Sequence, residues 1–298
     1  MTYHDSVLLK QSVDGLDIRP NGVYVDVTFG GGGHSKEILN KLNQGKLFAF
    51  DQDEDALQNT LNDTRFTLIN ANFKYLKNFL RYYKIDAVDG IIADLGISSY
   101  QIDNPERGFS TRYNSELDLR MDRRNQLSAQ KILSEYNEEA LSKVFYEYGE
   151  IKQSRRIAQT IVSAREKNQI ITVEDLKNVT APFAERGKEN KFYAQLFQSL
   201  RIEINQEMEV LKELLVQSLR VLKPNGRLVV IAYHSLEDRI VKNFMKSGNF
   251  EGAVEKDFFG NEQSPFTLIT RKPIVPSESE TEINKRARSA KLRIAEKK

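Results

Sequence analysis

Residues 23–35 read Val23-Tyr24-Val25-Asp26-Val27-Thr28-Phe29-Gly30-Gly31-Gly32-Gly33-His34-Ser35. Gly22 followed by a β-branched and aromatic run predicts a buried strand, and the apolar spacing over 35–42 predicts a helix directly after the glycines. A strand, a glycine loop and a helix in that order let backbone approach a ligand closely, because glycine accepts positive φ where other residues cannot. A purely structural turn would use the same residues, so the loop alone does not decide between the two uses.

Working outward, residues 46–50 predict a second strand ending at Asp51, followed by a helix over 54–61 and a third strand over 66–70. A helix over 73–83 then leads to Val88-Asp89-Gly90-Ile91-Ile92-Ala93-Asp94, a fourth apolar strand closed by an acid. This alternation is the βαβ rhythm of a parallel sheet. From about Asn104 the strand signals stop, and helical stretches follow at 128–135, 138–148, 152–167, 172–184, 192–204 and 206–222. The Pro224-Asn225-Gly226 turn delivers a further core strand over 227–233, then a helix over 240–246 and a short strand over 266–270, with an antiparallel end to the sheet. The tail beyond Pro273 reads as polar, charged and only partly ordered. The expected division is therefore 1–103 and 205–298 for an α/β domain, with 104–204 as an all-helical insertion.

Asp51 adds direction to the glycine loop, since a carboxylate at the end of a second strand can accept from both ribose hydroxyls of an adenosine. A helix cap is its alternative use. Together the loop and Asp51 favour an adenosine-containing cofactor. A nicotinamide dinucleotide fits less well, because the third glycine of G-x-G-x-x-G is replaced by Ser35 after Gly30 and Gly32. No Gly-Lys-Ser/Thr follows the run, which sets aside a phosphate-binding NTPase loop. The chain has no cysteine, so disulfides, thiolate zinc sites and thiolate nucleophiles are excluded. His4, His34 and His234 are too widely spaced to suggest a metal site. No apolar run is long enough to span a bilayer and the start lacks an apolar signal core, so the expectation is a cytoplasmic protein with no membrane partner.

With a net charge of only +2, any nucleic-acid footprint must come from local clustering. Arg107, Arg112, Arg120, Arg123 and Arg124 form one cluster, and residues 285–298 hold seven Lys/Arg against one Glu. Either cluster read alone is an ordinary solvated surface.

The chain nonetheless resembles a named family, the 16S rRNA cytosine-N4 methyltransferases (RsmH/MraW). The resemblance rests on His4-Asp5-Ser6-Val7-Leu8-Leu9, Thr28-Phe29-Gly30-Gly31-Gly32-Gly33-His34-Ser35, Asp94-Leu95-Gly96-Ile97-Ser98-Ser99 and Glu106-Arg107-Gly108-Phe109-Ser110. It continues through Leu117-Asp118-Leu119-Arg120-Met121-Asp122, His234-Ser235-Leu236-Glu237-Asp238-Arg239-Ile240-Val241-Lys242 and Asn284-Lys285-Arg286-Ala287-Arg288-Ser289-Ala290-Lys291-Leu292-Arg293. Gly31 departs from members that carry a basic residue there. The resemblance implies a class I methyltransferase (Rossmann-like) α/β fold, S-adenosyl-L-methionine as cofactor and 16S rRNA of the small ribosomal subunit as partner; homodimer formation is left open. It implies that Gly32, Gly33 and His34 contact the cofactor, that Asp51 holds its ribose, and that Phe73, Asp94 and Gln101 complete the pocket.

The implied reaction is methylation of the exocyclic N4 amine of a cytidine in the decoding region. A cysteine-free chain excludes the usual covalent route to C5 methylation. Asp94 is the catalytic candidate, as an acceptor beside the amine; amine methylases of DNA often carry Asp-Pro-Pro-Tyr where this chain has Asp94-Leu95-Gly96-Ile97. Arg107, Arg112, Arg120, Arg124, His234, Arg286 and Arg288 are the RNA-contact candidates, with Phe109 and Tyr113 interleaved among them. The constellation after residue 233 equally suits a helix cap, with Ser235 as cap and Asp238 three residues on. Two further functions compete: a DNA amino-methyltransferase, and a noncatalytic ribosome-assembly factor that senses the cofactor.

Overall fold

In the computed structural model, the described residues are 6–261 and 263–298; His4 and Asp5 of the first family motif lie outside them. By contacts the chain divides into two units, Met1–Gly96 with Met208–Lys298, and Ile97–Glu207.

The first unit is built on a seven-stranded sheet. Its strands are β1 (Val23–Asp26), β2 (Lys46–Asp51), β3 (Phe66–Asn70), β4 (Val88–Asp94), β5 (Leu222–Ala232), β6 (Phe266–Leu268) and β7 (Lys291–Lys297), in the spatial order β3-β2-β1-β4-β5-β7-β6. The first five strands run parallel and β7 pairs antiparallel with both β5 and β6. This is the mostly parallel α/β sheet that the family resemblance implied. The order reverses between β1 and β4, and a crevice at the C-terminal ends of such strands is where open α/β sheets bind ligands. The strands are continuous apolar runs because helices cover both faces: Val25, Ile91, Leu228 and Val230 pack on one side, and Tyr24, Ile92, Val229 and Ile231 on the other.

The helices of this unit are α1 (Leu9–Gly15), α2 (Gly33–Lys41), α3 (Leu76–Tyr82), α10 (Glu207–Val221, its first residue in the other unit), α11 (Ser235–Ser247) and α12 (Glu278–Ile283). The helical unit contains α4 (Ser99–Asp103), α5 (Ala129–Glu135), α6 (Glu138–Glu147), α7 (Ser154–Arg165), α8 (Val173–Thr180) and α9 (Glu189–Asn205). Its separate core includes Leu117, Ile132, Phe145, Ile157, Leu176 and Leu200. Ile97 already packs on that core, which is why this unit begins before residue 104.

Several local expectations need correction. Residues 54–59 form a 3-10 helix, not an α-helix, and 73–75 form a 3-10 turn before α3 begins. β5 starts at Leu222, five residues before the expected strand. The Pro224-Asn225-Gly226 turn lies inside it as a bulge, with Val88 opposite Leu222 but Gly90 opposite Arg227 and φ of +61° at Asn225. β6 stops at Leu268. The tail is ordered: α12 and a 3-10 segment over Lys285–Ser289 lead into β7, an interior strand of the sheet. No helix among the described residues is long and apolar enough to cross a membrane.

Candidate functional site

Three acids end neighbouring parallel strands: Asp26 on β1, Asp51 on β2 and Asp94 on β4. Asp26 is 1% exposed and accepts from the Ser35 hydroxyl at 2.7 Å and from Thr28 N at 3.1 Å. Asp51 accepts from Gly30 N at 2.8 Å and Asp53 N at 2.9 Å, so it also shapes the glycine loop. Asp94 Oδ1 accepts from the Tyr233 hydroxyl at 2.8 Å, while its backbone N–H donates to Thr28 Oγ1 at 2.6 Å. Burial pushes each of the three carboxyls up to about 6. At Asp94 the neighbouring His34 and the Tyr233 hydroxyl oppose the rise, while Asp26 and Glu237 add to it; at Asp51 the Asp53 and Gly30 N–H donors oppose it, while the Asp53 and Asp26 carboxylates add to it.

The loop between β1 and α2 explains its own glycines. Gly30 has φ of +51° and open space where a side chain would project. Gly32, the N-cap of α2, has φ of +78°, and a Cβ there would lie 2.9 Å from the Phe29 ring. A Cβ on Gly33 would overlap Ser6 Oγ. Among the described residues no side chain caps α2, and the first-turn N–H groups of such a helix start can serve another acceptor. His34 opens that helix, 5% exposed, with Nδ1 3.9 Å from Asp94 Oδ2. Burial lowers its pKa against the opposing pull of Asp94 and a backbone hydrogen bond with Val7, which favours the neutral ring. Among the described residues, His34 Nε2 is buried without a hydrogen-bond partner.

Phe73 follows β3 in a 3-10 turn capped by Asn72 and is half-buried against the sheet core. Gln101 is buried in α4, where it closes a capping box with Ser98. His234, not Ser235, caps α11. Its Nδ1 accepts from Glu237 N at 3.4 Å, and Glu237 Oε2 accepts from Tyr233 N at 2.9 Å and His234 N at 3.3 Å. Asp238 takes a different part: it pairs with Arg293 at 2.6 Å and Lys291 at 3.3 Å, tying α11 to β7.

The arginines of the helical unit differ sharply from one another. Arg107 is 0% exposed and donates to the carbonyls of Arg120 and Met121 at 3.0 and 3.1 Å, a packing role in place of the expected phosphate contact. Arg120 pairs with Asp118 at 2.6 Å and donates to the carbonyls of Arg123 and Asn125. Arg124 pairs with Asp122 at 2.8 Å with its side chain half exposed, and Arg112 and Tyr113 are exposed. Phe109 is buried in the helical core. In the tail, Arg286 is half-buried and Arg288 exposed, both in the 3-10 segment before β7.

Sequence reasoning did not single out Asp26 or Tyr233. Asp26 carried the same signal as Asp51 and Asp94, an acid stopping an apolar strand. Tyr233 carried none beyond its place after a core strand.

A model of the MraW methylase family matches residues 1–298 of the chain. Three curated proteins named Ribosomal RNA small subunit methyltransferase H are similar to it. That of Flavobacterium psychrophilum is 62% identical over 292 residues, covering 98% of this chain and 100% of its own. That of Flavobacterium johnsoniae is 60% identical over 298 residues, covering 100% and 98%. That of Parabacteroides distasonis is 58% identical over 297 residues, covering 99% and 97%.

Proposed function

The chain belongs to the MraW methylase family, and from that premise we propose that it transfers the methyl group of S-adenosyl-L-methionine to the exocyclic N4 amine of a decoding-region cytidine in 16S rRNA of the small ribosomal subunit. The observation that carries this reading is the strand-end triad of Asp26, Asp51 and Asp94 around a glycine turn, beside the buried ring of His34.

The residues fit such a cofactor on chemistry already described. Asp51 is an acceptor suited to ribose hydroxyls, and Phe73 offers an aromatic face to adenine. Open space at Gly30 and the first-turn N–H groups at Gly33 and His34 suit the polar amino-acid end. Gln101 remains a further contact through the family resemblance. The bound cofactor supplies a methyl group on a positively charged sulfur.

The cytosine amine is a poor nucleophile because its lone pair is delocalised into the ring. A useful enzyme must align nitrogen, methyl carbon and sulfur, and hold an acceptor against an N–H bond. The nitrogen forms a bond to the methyl carbon as the carbon–sulfur bond breaks, and the excess amine proton then leaves. Asp94 fills the acceptor role in this reading. Burial makes it more basic than an ordinary carboxylate while leaving it mostly ionised near neutral pH. Residues 97–207 serve as the substrate-recognition unit, with Arg112, Arg120 and Arg124 as RNA contacts, and His234, Arg286 and Arg288 are further RNA contacts outside it. The protein acts in the cytoplasm, where its ribosomal partner is assembled.

The test supplies labelled cofactor and small subunits from cells lacking the activity. Label is expected in 16S rRNA as N4-methylcytidine. Preferential labelling of duplex DNA would overturn the substrate, and calorimetry showing uptake of a nicotinamide dinucleotide but not of the methyl donor would overturn the cofactor.

A further inference from the structure

We infer that Tyr233 is a positioning residue for the methyl transfer: its hydroxyl fixes Oδ1 of Asp94 so that Oδ2 is held as the acceptor for the attacking amine. This rests on the reading of Asp94 as that acceptor. The hydroxyl donates to Oδ1 at 2.8 Å, and the Asp94 backbone is fixed separately through Thr28 Oγ1 and, at the next residue, through Leu95 N–H to Ile231 O at 3.0 Å.

The phenol is itself held at both ends. Glu237 accepts from Tyr233 N and His234 N, pinning the backbone where β5 turns into α11. The ring lies against Gly96, where φ is +100° and a Cβ would sit 3.4 Å from ring Cδ2. A carboxylate free to rotate about its last torsion would spread its lone pairs over many directions, whereas a donor on one oxygen selects one direction for the other. Burial and the neighbouring Asp94 carboxylate raise the Tyr233 pKa well above 10, so the hydroxyl stays a donor at any working pH.

The experiment is a double-mutant cycle with Tyr233→Phe and Asp94→Asn in the full-length protein. It reads kcat and KM on small subunits, cofactor Kd by calorimetry, and melting temperature. Tyr233→Phe is expected to lower kcat about 10- to 100-fold, the effect of losing a hydrogen bond to a charged group. Cofactor Kd should stay near wild type, melting temperature should fall only by the few degrees that one lost hydrogen bond costs, and the substitution should cost kcat nothing further in the Asp94→Asn background. A full additional loss in that background, or a kcat loss that merely follows weaker folding or cofactor binding, overturns the role of Tyr233 alone. An unchanged kcat in Asp94→Asn instead overturns the reading of Asp94, and the inference with it.

Discussion

The glycine turn between β1 and α2 and the arginine-rich segment 104–128 use their polar groups in opposite ways. In the segment, Arg107, Arg120 and Arg124 find carbonyls or carboxylates within about twenty residues, and Asn205 at the end of α9 adds bonds to Met121 N and the Leu119 carbonyl. That network shapes a loop containing a non-glycine residue at positive φ, Leu119 at +63°. In the turn, among the described residues, the N–H groups at the start of α2 carry no side-chain cap and His34 Nε2 is buried without a hydrogen-bond partner. Leaving a buried polar atom unpaired costs about 1–3 kcal/mol, so it persists where something else offsets the loss. Ser115 Oγ in the segment is also buried without a partner among the described residues, so an unpaired atom does not by itself mark a ligand site; the turn differs in holding its open groups beside three buried strand-end carboxyls.

Arg107→Met is the sharpest way to break that distinction and has the largest expected effect. Truncating the guanidinium removes donors from two carbonyls in a buried loop, which should destabilise the helical unit by about 3 kcal/mol. Urea unfolding would measure it. A variant with unchanged stability but weakened RNA binding would return Arg107 to the RNA-contact role. Next in size is Asp51→Asn, which keeps the shape of the side chain but removes its charge. Cofactor affinity should fall about 10- to 100-fold by calorimetry, and an unchanged affinity would mean that Asp51 serves only to hold the loop through Gly30 N and Asp53 N.

A smaller effect is expected from pH. The folded pKa values of Asp26, Asp51 and Asp94 are raised to about 6 from 3.8, so the folded protein binds protons more tightly than the unfolded chain. Their stabilising contribution is therefore complete below about 4 and is lost as pH rises through about 6. Between pH 7.5 and 5.5 each group should add about 1 kcal/mol to the stability of the cofactor-free protein. Asp26→Asn mimics the protonated acid, and Ser35 can reverse its hydroxyl to accept from the new amide. Its stability relative to wild type should improve at pH 7.5 compared with pH 5.5; equal differences at both would mean that Asp26 is not raised.

How much of this was legible in the sequence follows from the range of each interaction. β3 and β4 were readable to the residue, because acids, glycine or asparagine stop apolar runs at the ends of buried parallel strands. The glycine turn and Asp51 were readable for the same local reason. β7 was not, because its charges read as solvated tail. Leu292 and Ile294 do alternate as strand residues, but Arg293, 8% exposed, becomes tolerable only through Asp238, 55 residues away. The 3-10 helix at 54–59 was missed because its start signal, Asp53 accepting from Asp55 N, suits either helix type. The partner of Tyr233 lies 139 residues earlier, beyond any local pattern.

The smallest effect belongs to the exposed arginines, where the comparison can be sharpened rather than broken. Arg112 stands exposed, and Arg124 keeps a half-exposed side chain despite its pair with Asp122. A surface ion pair of that kind contributes about 0–1 kcal/mol, so Arg112→Ala and Arg124→Ala should leave stability within about 0.5 kcal/mol of wild type. If they meet phosphate, each substitution removes one released counterion. The log–log salt dependence of rRNA binding should then flatten by about 0.7–0.9 per site, with affinity lower by only a few-fold near 0.1 M salt. A weaker affinity with an unchanged salt slope would mean that these side chains shape the loop as Arg107 does, and the division between internal and outward arginines would then be drawn in the wrong place.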